Sequence, residues 1–322
     1  MEKVIIRHLL NQEGERLIET VGLGRRFEGT VAVEDLDLSI KDGEAFAFLG
    51  PNGAGKTTTV RMLCCLIAPT SGTAYISKLD LREAESQLKI RQSIGLLPEN
   101  PGLYESLGAY RNLDFFARLY GVGAKDRERR IMELLKTLNL WDRRDEAVGK
   151  FSKGMKQKVA IARALVHEPE YIFLDEPTAA LDPEAAKTVR DFLLELKKEG
   201  RTIFLNTHNL DEAQKLCDRI GILRTHLLRI GTPEELKESL WGSRTMIQLP
   251  EITDSIVAAV QQETRNKVVV GDHRLVIDVM DPEKENPYLV QAIVAAGGRV
   301  QFVRELSPTL EDVYLQIVRE NK

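Results

Sequence analysis

The stretch Gly50-Pro51-Asn52-Gly53-Ala54-Gly55-Lys56-Thr57-Thr58 restricts the fold more than any other part of the 322-residue chain. It follows an apolar run, Ala45 to Leu49, that reads as a strand, and it opens a run, Thr57 to Ile67, that reads as a helix. The glycines let backbone N–H groups crowd a phosphate with no Cβ in the way, and the helix N-terminus adds unpaired donors and a positive dipole end. Lys56 supplies a point charge for the β- and γ-phosphates, and the Thr57 hydroxyl is a ligand for Mg²⁺. The plainer alternative is a glycine turn that merely joins strand to helix, and the complete pattern in this context argues against it. ATP or GTP is the expected ligand.

A second series lies far downstream. Tyr171-Ile172-Phe173-Leu174-Asp175-Glu176-Pro177 reads as a buried strand that ends in two carboxylates. A phosphate hydrolase needs such a pair, one acid for the metal and one beside the attacking water. A helix cap or a solvated turn is the alternative for two acids at a strand end. Before this strand comes Phe151-Ser152-Lys153-Gly154-Met155-Lys156-Gln157, which opens a helical run through Ala160, Ile161 and Ala164. After it come Ala180-Leu181-Asp182 and, behind another apolar strand from Thr202 to Leu205, Thr207-His208.

Over about residues 17 to 230 this ordered series resembles the ATP-binding cassette (ABC) ATPases. The resemblance implies an α/β fold: a P-loop cassette with a RecA-like core, an antiparallel β subdomain and a helical subdomain near residues 100 to 165. It also implies roles for particular residues. Gly50 through Thr58, Lys56 included, bind ATP; Thr57, Glu99 and Asp175 hold Mg²⁺; Glu176 is the general base. His208 matches the switch histidine that contacts the γ-phosphate, a task imidazole suits because it donates at neutral pH without a fixed charge. Phe27 stands where the family stacks an aromatic on adenine, with ordinary core packing as the alternative. Ser152 and Gly154 match the signature that binds the γ-phosphate on the opposite subunit, and Asp182 follows the catalytic strand. Ser152 alone would read as a helix cap. One phosphate loop and one signature per chain imply a homodimer, or a heterodimer with a second cassette.

The chain departs from the family pattern at Lys153, Met155 and Glu99. Lys153 adds charge near the nucleotide or faces solvent. Glu99 stands where most cassettes carry glutamine; a carboxylate still ligates Mg²⁺, but when ionised it donates no hydrogen bond. The wording around both positions resembles the branch that serves multidrug, antibiotic and polysaccharide exporters.

Composition narrows the partners. A net charge of −4 gives no electrostatic case for nucleic acid, despite a local cluster of Lys153, Lys156 and Lys158. Cys64, Cys65 and Cys217 show no metal spacing and suit a reducing compartment. No apolar run approaches the roughly 18 residues that cross a bilayer, and the first residues are too short and charged for a secretory signal. The expected setting is the cytoplasm, peripheral on the cytoplasmic face of the membrane, with a separate transmembrane permease as partner. Between Asn100 and Gly121 lie Tyr104, Phe115, Phe116 and Tyr120. The resemblance makes this the dock for the permease, and packing of the helical subdomain is the alternative. The rival function is a soluble ABC ATPase acting on DNA or ribosomes, which usually carries two cassettes or long coiled-coil insertions.

The motif series ends at Gly231-Thr232-Pro233, the expected domain boundary. Residues 1 to 16 are an extension without readable pattern. Beyond 232 the chain reads as a linker helix through Leu240 and a small α+β domain. Its expected elements are strand Thr245–Leu249, helix Ile252–Gln262, hairpin Val268–Val279, helix Pro287–Ala296, strand Val300–Leu306 and helix Leu310–Arg319. The remaining histidines, His8, His167, His226 and His273, read as structural or solvated.

Overall fold

The computed structural model describes residues 17–100, 102–179, 181–238, 244–306 and 309–320; the N-terminal extension, Pro101, Ala180 and Leu240 lie outside them. Two compact units divide after Thr232.

Burial separates the strands of the first unit into two kinds. In β2 (Thr30–Lys41) Leu36, Leu38 and Ile40 are buried between exposed neighbours, the period-2 pattern of a sheet covered on one face. β2 pairs antiparallel with β1 (Leu17–Phe27), and β4 (Ser71–Ile76) and β5 (Leu79–Asp80) complete a sheet in the order β2-β1-β4-β5. By contrast β3 (Ala45–Leu49), β7 (Tyr171–Asp175) and β8 (Thr202–Asn206) are buried at every position, as strands covered on both faces must be. With β6 (Ile94–Leu97), β9 (Arg219–Arg224) and β10 (His226–Gly231) they form a six-stranded sheet in the order β10-β9-β3-β8-β7-β6, parallel except for β10. Phe46 and Phe48 of β3 and Phe204 of β8 meet with ring centroids 5.2 to 5.5 Å apart and tie the middle of this sheet together.

The helices of this unit are α1 (Lys56–Leu63), α2 (Ala84–Ser93), α3 (Ala109–Leu119), α4 (Ala124–Thr137), α5 (Lys153–Leu165), α6 (Pro183–Lys198) and α7 (Leu210–Leu216). The sequence predicts α1 through Ile67, and the chain stops it at Leu63. Cys65 has φ 54°, a left-handed backbone that a right-handed helix does not continue. Cys64 and Cys217 are buried free thiols, and burial pushes both well above the ordinary thiol range. The parallel strands β3, β6, β7 and β8 all end at one edge, which gathers the loops after Leu49, Leu97, Asp175 and Asn206.

The second unit is a four-stranded antiparallel sheet, β12 (Val268–Val270), β13 (Arg274–Asp278), β11 (Arg244–Gln248) and β14 (Phe302–Leu306), in that spatial order. Its helices are α8 (Pro233–Glu238), α9 (Asp254–Glu263), α10 (Pro282–Ala295) and α11 (Leu310–Glu320). Ile247, Leu275 and Ile277 of the sheet pack with Ile256, Val260, Leu289 and Ile293 of α9 and α10. The expected start of α10 at Pro287 is wrong. Asp281 caps the helix by accepting from Lys284 N, Pro282 takes the first position, and the helix runs through Pro287. Both prolines suit a first turn by their fixed φ, and the capping aspartate selects the earlier one.

His167 follows α5 and ties it to the strand that leads toward Glu99. Its Nε2 bonds Ile94 O at 2.9 Å, its ring stacks on Tyr120 at 3.6 Å, and its Nδ1 is buried without a partner among the described residues. Burial lowers its pKa to about 4, against a weaker opposing effect of the Ile94 bond. Because the folded value lies below the unfolded one, the unfolded chain binds the extra proton first as pH falls. The stability present near neutrality is therefore lost between about 6.5 and 4. In thermal unfolding from pH 7.5 to 4.5 the parent should lose on the order of 1–3 kcal/mol more than His167→Gln; equal losses would remove this histidine from the acid response.

Candidate functional site

The glycine loop is shaped by its neighbours on both sides. A Cβ on Gly50 would stand 2.4 Å from Leu223 O, and one on Gly55, where φ is 97°, would stand 2.3 Å from Ala32 O. Thr225 N donates to Ala54 O at 2.9 Å and holds the loop from β9. Only glycine fits two positions so close to other backbone, and the result is a cradle of N–H groups at the start of α1. Asn52 and Gly53 are exposed, Pro51 and Thr58 half-buried. Lys56 is 9% exposed, and its Nζ donates to Gly50 O at 2.5 Å and to Pro51 O at 3.1 Å. Burial lowers its pKa, and the charges of Glu176 and Asp175 oppose that.

Thr57 Oγ1 donates to Asp175 Oδ2 at 2.9 Å, so the residue after the loop lysine meets the end of β7. Asp175 is 5% exposed; burial raises its pKa first, the charges of Glu99 and Glu176 add, and the Thr57 bond opposes. Glu99 is exposed just beyond the end of β6, near enough for its charge to raise Asp175. A hydroxyl with two carboxylates is a set of hard oxygen donors, which fits Mg²⁺ better than a softer metal.

Glu176 has φ 51°, a left-handed backbone at the strand end, and its N bonds Asn206 O of β8 at 2.9 Å. Its Oε1 accepts from His208 N at 3.0 Å and from His208 Nδ1 at 2.7 Å. Thr207 Oγ1 stands 3.4 Å from its Oε2. The two carboxylates, Lys56, Thr57 and His208 are thus joined at one sheet edge, the arrangement that charge stabilisation and water activation require.

Other predicted residues stand elsewhere or have other partners. Ser152 caps α5, accepting from Met155 N at 3.2 Å, and Gly154 approaches Leu181, where a Cβ would come within 3.1 Å of Cδ2. Asp182 caps α6, accepting from Ala185 N at 2.8 Å. Phe27 is 42% exposed, so it is not core, and Arg25 covers one ring face at 4.5 Å. Lys153 is exposed, and Lys156 pairs with Glu105 at 2.7 Å. Tyr104, Phe115 and Phe116 form an aromatic cluster whose first two members are 47% and 39% exposed. Asn112, fully buried, fixes the approach to this cluster through four hydrogen bonds to Tyr104, Leu107 and Gly108.

Sequence reading misses two residues that support the site. Gln157 Nε2 donates to Glu176 O at 3.3 Å and Pro177 O at 3.2 Å, and nothing local signals so distant a contact. Glu212 is buried behind Thr207. Asn209 followed three places later by Glu212 is a helix-start pattern, and Asn209 Oδ1 does accept from Glu212 N at 3.1 Å.

Residues 33–179 match the ABC transporter family, and residues 231–318 match the C-terminal domain of DrrA1-3-like ATP-binding proteins. The chain is 36% identical to the daunorubicin resistance ATP-binding protein DrrA3 of Streptomyces coeruleorubidus, over 94% of this chain and 95% of that protein. It is 39% identical to the ABC transporter ATP-binding protein NatA of Bacillus subtilis (strain 168), over 69% of this chain and 92% of NatA. A dimeric post-hydrolysis structure of the ATP-binding cassette MJ0796, bound to ADP and Pi, superposes with a TM-score of 0.63 at 28% identity, covering 67% of this chain and 98% of that one.

The cradle gives a direct test. Gly55→Ala adds a Cβ where Ala32 O already stands and a side chain where φ is 97°. It should weaken binding of a fluorescent ATP analogue by at least about tenfold, since the loop must move to relieve the clash. Parental affinity would mean that the loop shape does not govern binding.

Proposed function

The chain is an ATP-binding, ATP-hydrolysing subunit of the ABC transporter family, and on that premise we propose that it powers a separate membrane-spanning exporter from the cytoplasmic face of the membrane. The observation that carries the catalytic reading is the pair of bonds from His208 to Glu176 Oε1, at 3.0 and 2.7 Å, beside an Asp175 bonded to Thr57. The similarity to a daunorubicin resistance protein over nearly the whole of both chains supports export of a drug-like molecule. The half-exposed aromatics Tyr104 and Phe115 support docking of the permease on the helical subdomain. Among the described residues no helix is long and apolar enough to cross a membrane.

In this reading the loop amides and Lys56 bind the phosphates of ATP, with Lys56 exchanging the carbonyls of Gly50 and Pro51 for phosphate oxygens. Thr57, Asp175 and Glu99 hold Mg²⁺, which supplies charge to offset the phosphates. Glu176, with one oxygen occupied by His208, keeps the other for the proton of the attacking water. His208 is exposed and reaches the γ-phosphate side, and Phe27 offers its uncovered ring face to adenine. Ser152, Gly154 and Asp182 complete the site of a second cassette in a homodimer or heterodimer. ATP then closes the dimer and hydrolysis releases it. The 90 residues after Thr232 carry no catalytic constellation among those described and serve dimer contact or regulation.

Glu176→Gln keeps the shape and removes the base, so hydrolysis should fall by about 10²–10⁴-fold. ATP-bound dimers should accumulate on size-exclusion chromatography. Hydrolysis at the parental rate would show that another group is the base.

Glu99 is tested by the dependence of ATPase rate on magnesium concentration. Glu99→Gln keeps an oxygen ligand and should retain the metal dependence, whereas Glu99→Ala should need several-fold more magnesium. Identical curves for the parent and the alanine variant would remove Glu99 from the metal site.

A further inference from the structure

Glu212 sits on α7, 1% exposed, with a carboxylate oxygen, Oε2, 3.0 Å from Thr207 Oγ1. Its other oxygen, Oε1, is buried without a hydrogen-bond partner among the described residues. The same Thr207 hydroxyl lies 3.4 Å from Glu176 Oε2 and accepts from Asn209 N at 3.0 Å. Two carboxyl groups therefore flank one hydroxyl, and a hydroxyl has a single proton to donate.

We propose that Glu212 is a positioning residue for hydrolysis, acting through Thr207 to hold Glu176 in the orientation that receives the proton of the attacking water. This rests on Glu176 as the base. In the acid form Glu212 donates to Thr207 Oγ1, whose second acceptor site takes Asn209 N–H. The Thr207 proton is then committed to Glu176 Oε2. In the ionised form Glu212 competes for that proton and wins on distance, and Glu176 loses the contact on its working oxygen.

The surroundings favour the acid form. Burial raises the pKa of Glu212 above the ordinary carboxylate range, and the charge of Glu176 adds to this. The hydroxyls of Thr178 and Thr207 and the charge of Arg190 on α6 oppose it, without reversing the direction. Cys217, beyond the end of α7, is a further titratable neighbour among the described residues, and its thiol stays protonated because burial pushes its pKa far up. A raised carboxyl pKa means that the proton is kept through the ordinary carboxylate range and lost as pH rises through the shifted value. The arrangement is therefore intact on the acid side of that value and broken on the alkaline side.

The experiment measures kcat and KM for ATP from pH 5.5 to 9 in the full-length chain, for the parent, Glu212→Ala, Glu212→Gln, Thr207→Val and the Ala/Val double variant, with Glu176→Gln as control. Glu212→Ala should lower kcat by about tenfold while KM for ATP changes by less than about twofold. Glu212→Gln, whose amide always donates, should restore most of that loss and should lack the alkaline decline that the parent shows. Thr207→Val should cost about as much as Glu212→Ala, and the double variant little more than either, because both act through one hydroxyl. Additive losses, or a pH profile for Glu212→Gln that matches the parent, would overturn the proposal. So would a glutamine variant as impaired as the alanine one while binding ATP normally. If instead Glu176→Gln hydrolyses ATP at the parental rate, it is the assignment of the base that fails.

Discussion

One hydrogen bond joins the two ends of the catalytic machinery: Thr57 Oγ1 to Asp175 Oδ2 at 2.9 Å. The residues are 118 positions apart. Asp175 is a carboxylate at the end of a fully buried strand, where burial opposes ionisation. It is tolerated there because a hydroxyl donor reaches it and Lys56 stands nearby. The parallel sheet makes the meeting possible, since β3 and β7 flank β8 and all three end at the same edge. If that register slipped by one residue, every apolar side chain of β7 would change face and Asp175 would leave Thr57.

The electrostatics of this edge are balanced by composition rather than by exposure to water. Asp175, Glu176 and the nearby Glu99 are three acids, while Lys56 supplies positive charge close to Asp175 and Glu176. Such an excess of negative charge would repel triphosphate unless a cation accompanied it, which is why the site suits a metal-bound nucleotide. Glutamine in place of Glu99 would lessen that excess.

Much of this was legible in the sequence because the signals are local. The glycine loop is nine consecutive residues set between an apolar strand and a helix, and Asp175-Glu176 follows directly on four apolar ones. Elements were misjudged where a single backbone angle or a competing cap decided them. Cys65 ends α1 by a left-handed φ that no cysteine pattern announces, and Asp281 outcompetes Pro287 as the start of α10. Supporting residues were missed when their partners were distant in sequence. Gln157 reaches carbonyls 19 and 20 positions away, and only the packing of α5 on the end of β7 brings them together. Phe27 could be read either as core or as platform, because hydrophobicity does not tell which face of a strand end is covered.

The glycine loop has a consequence for the thermodynamics of binding. The backbone at Leu223 and Ala32 lies close against Gly50 and Gly55, and Thr225 holds Ala54, so the loop has little freedom to lose when a ligand arrives. The entropy of ordering was met during folding, and the site is preorganised. The change required of the loop is in one side chain: Lys56 must leave two carbonyl acceptors that already satisfy it. Those carbonyls act as an internal competitor, with the lysine resting on the loop's own backbone and released only by a ligand that offers better acceptors. A phosphate does so through its charge, and a neutral sugar or base does not. The first discrimination the protein makes, anionic ligand against neutral, is thus set by the hold of the loop's own carbonyls on its lysine.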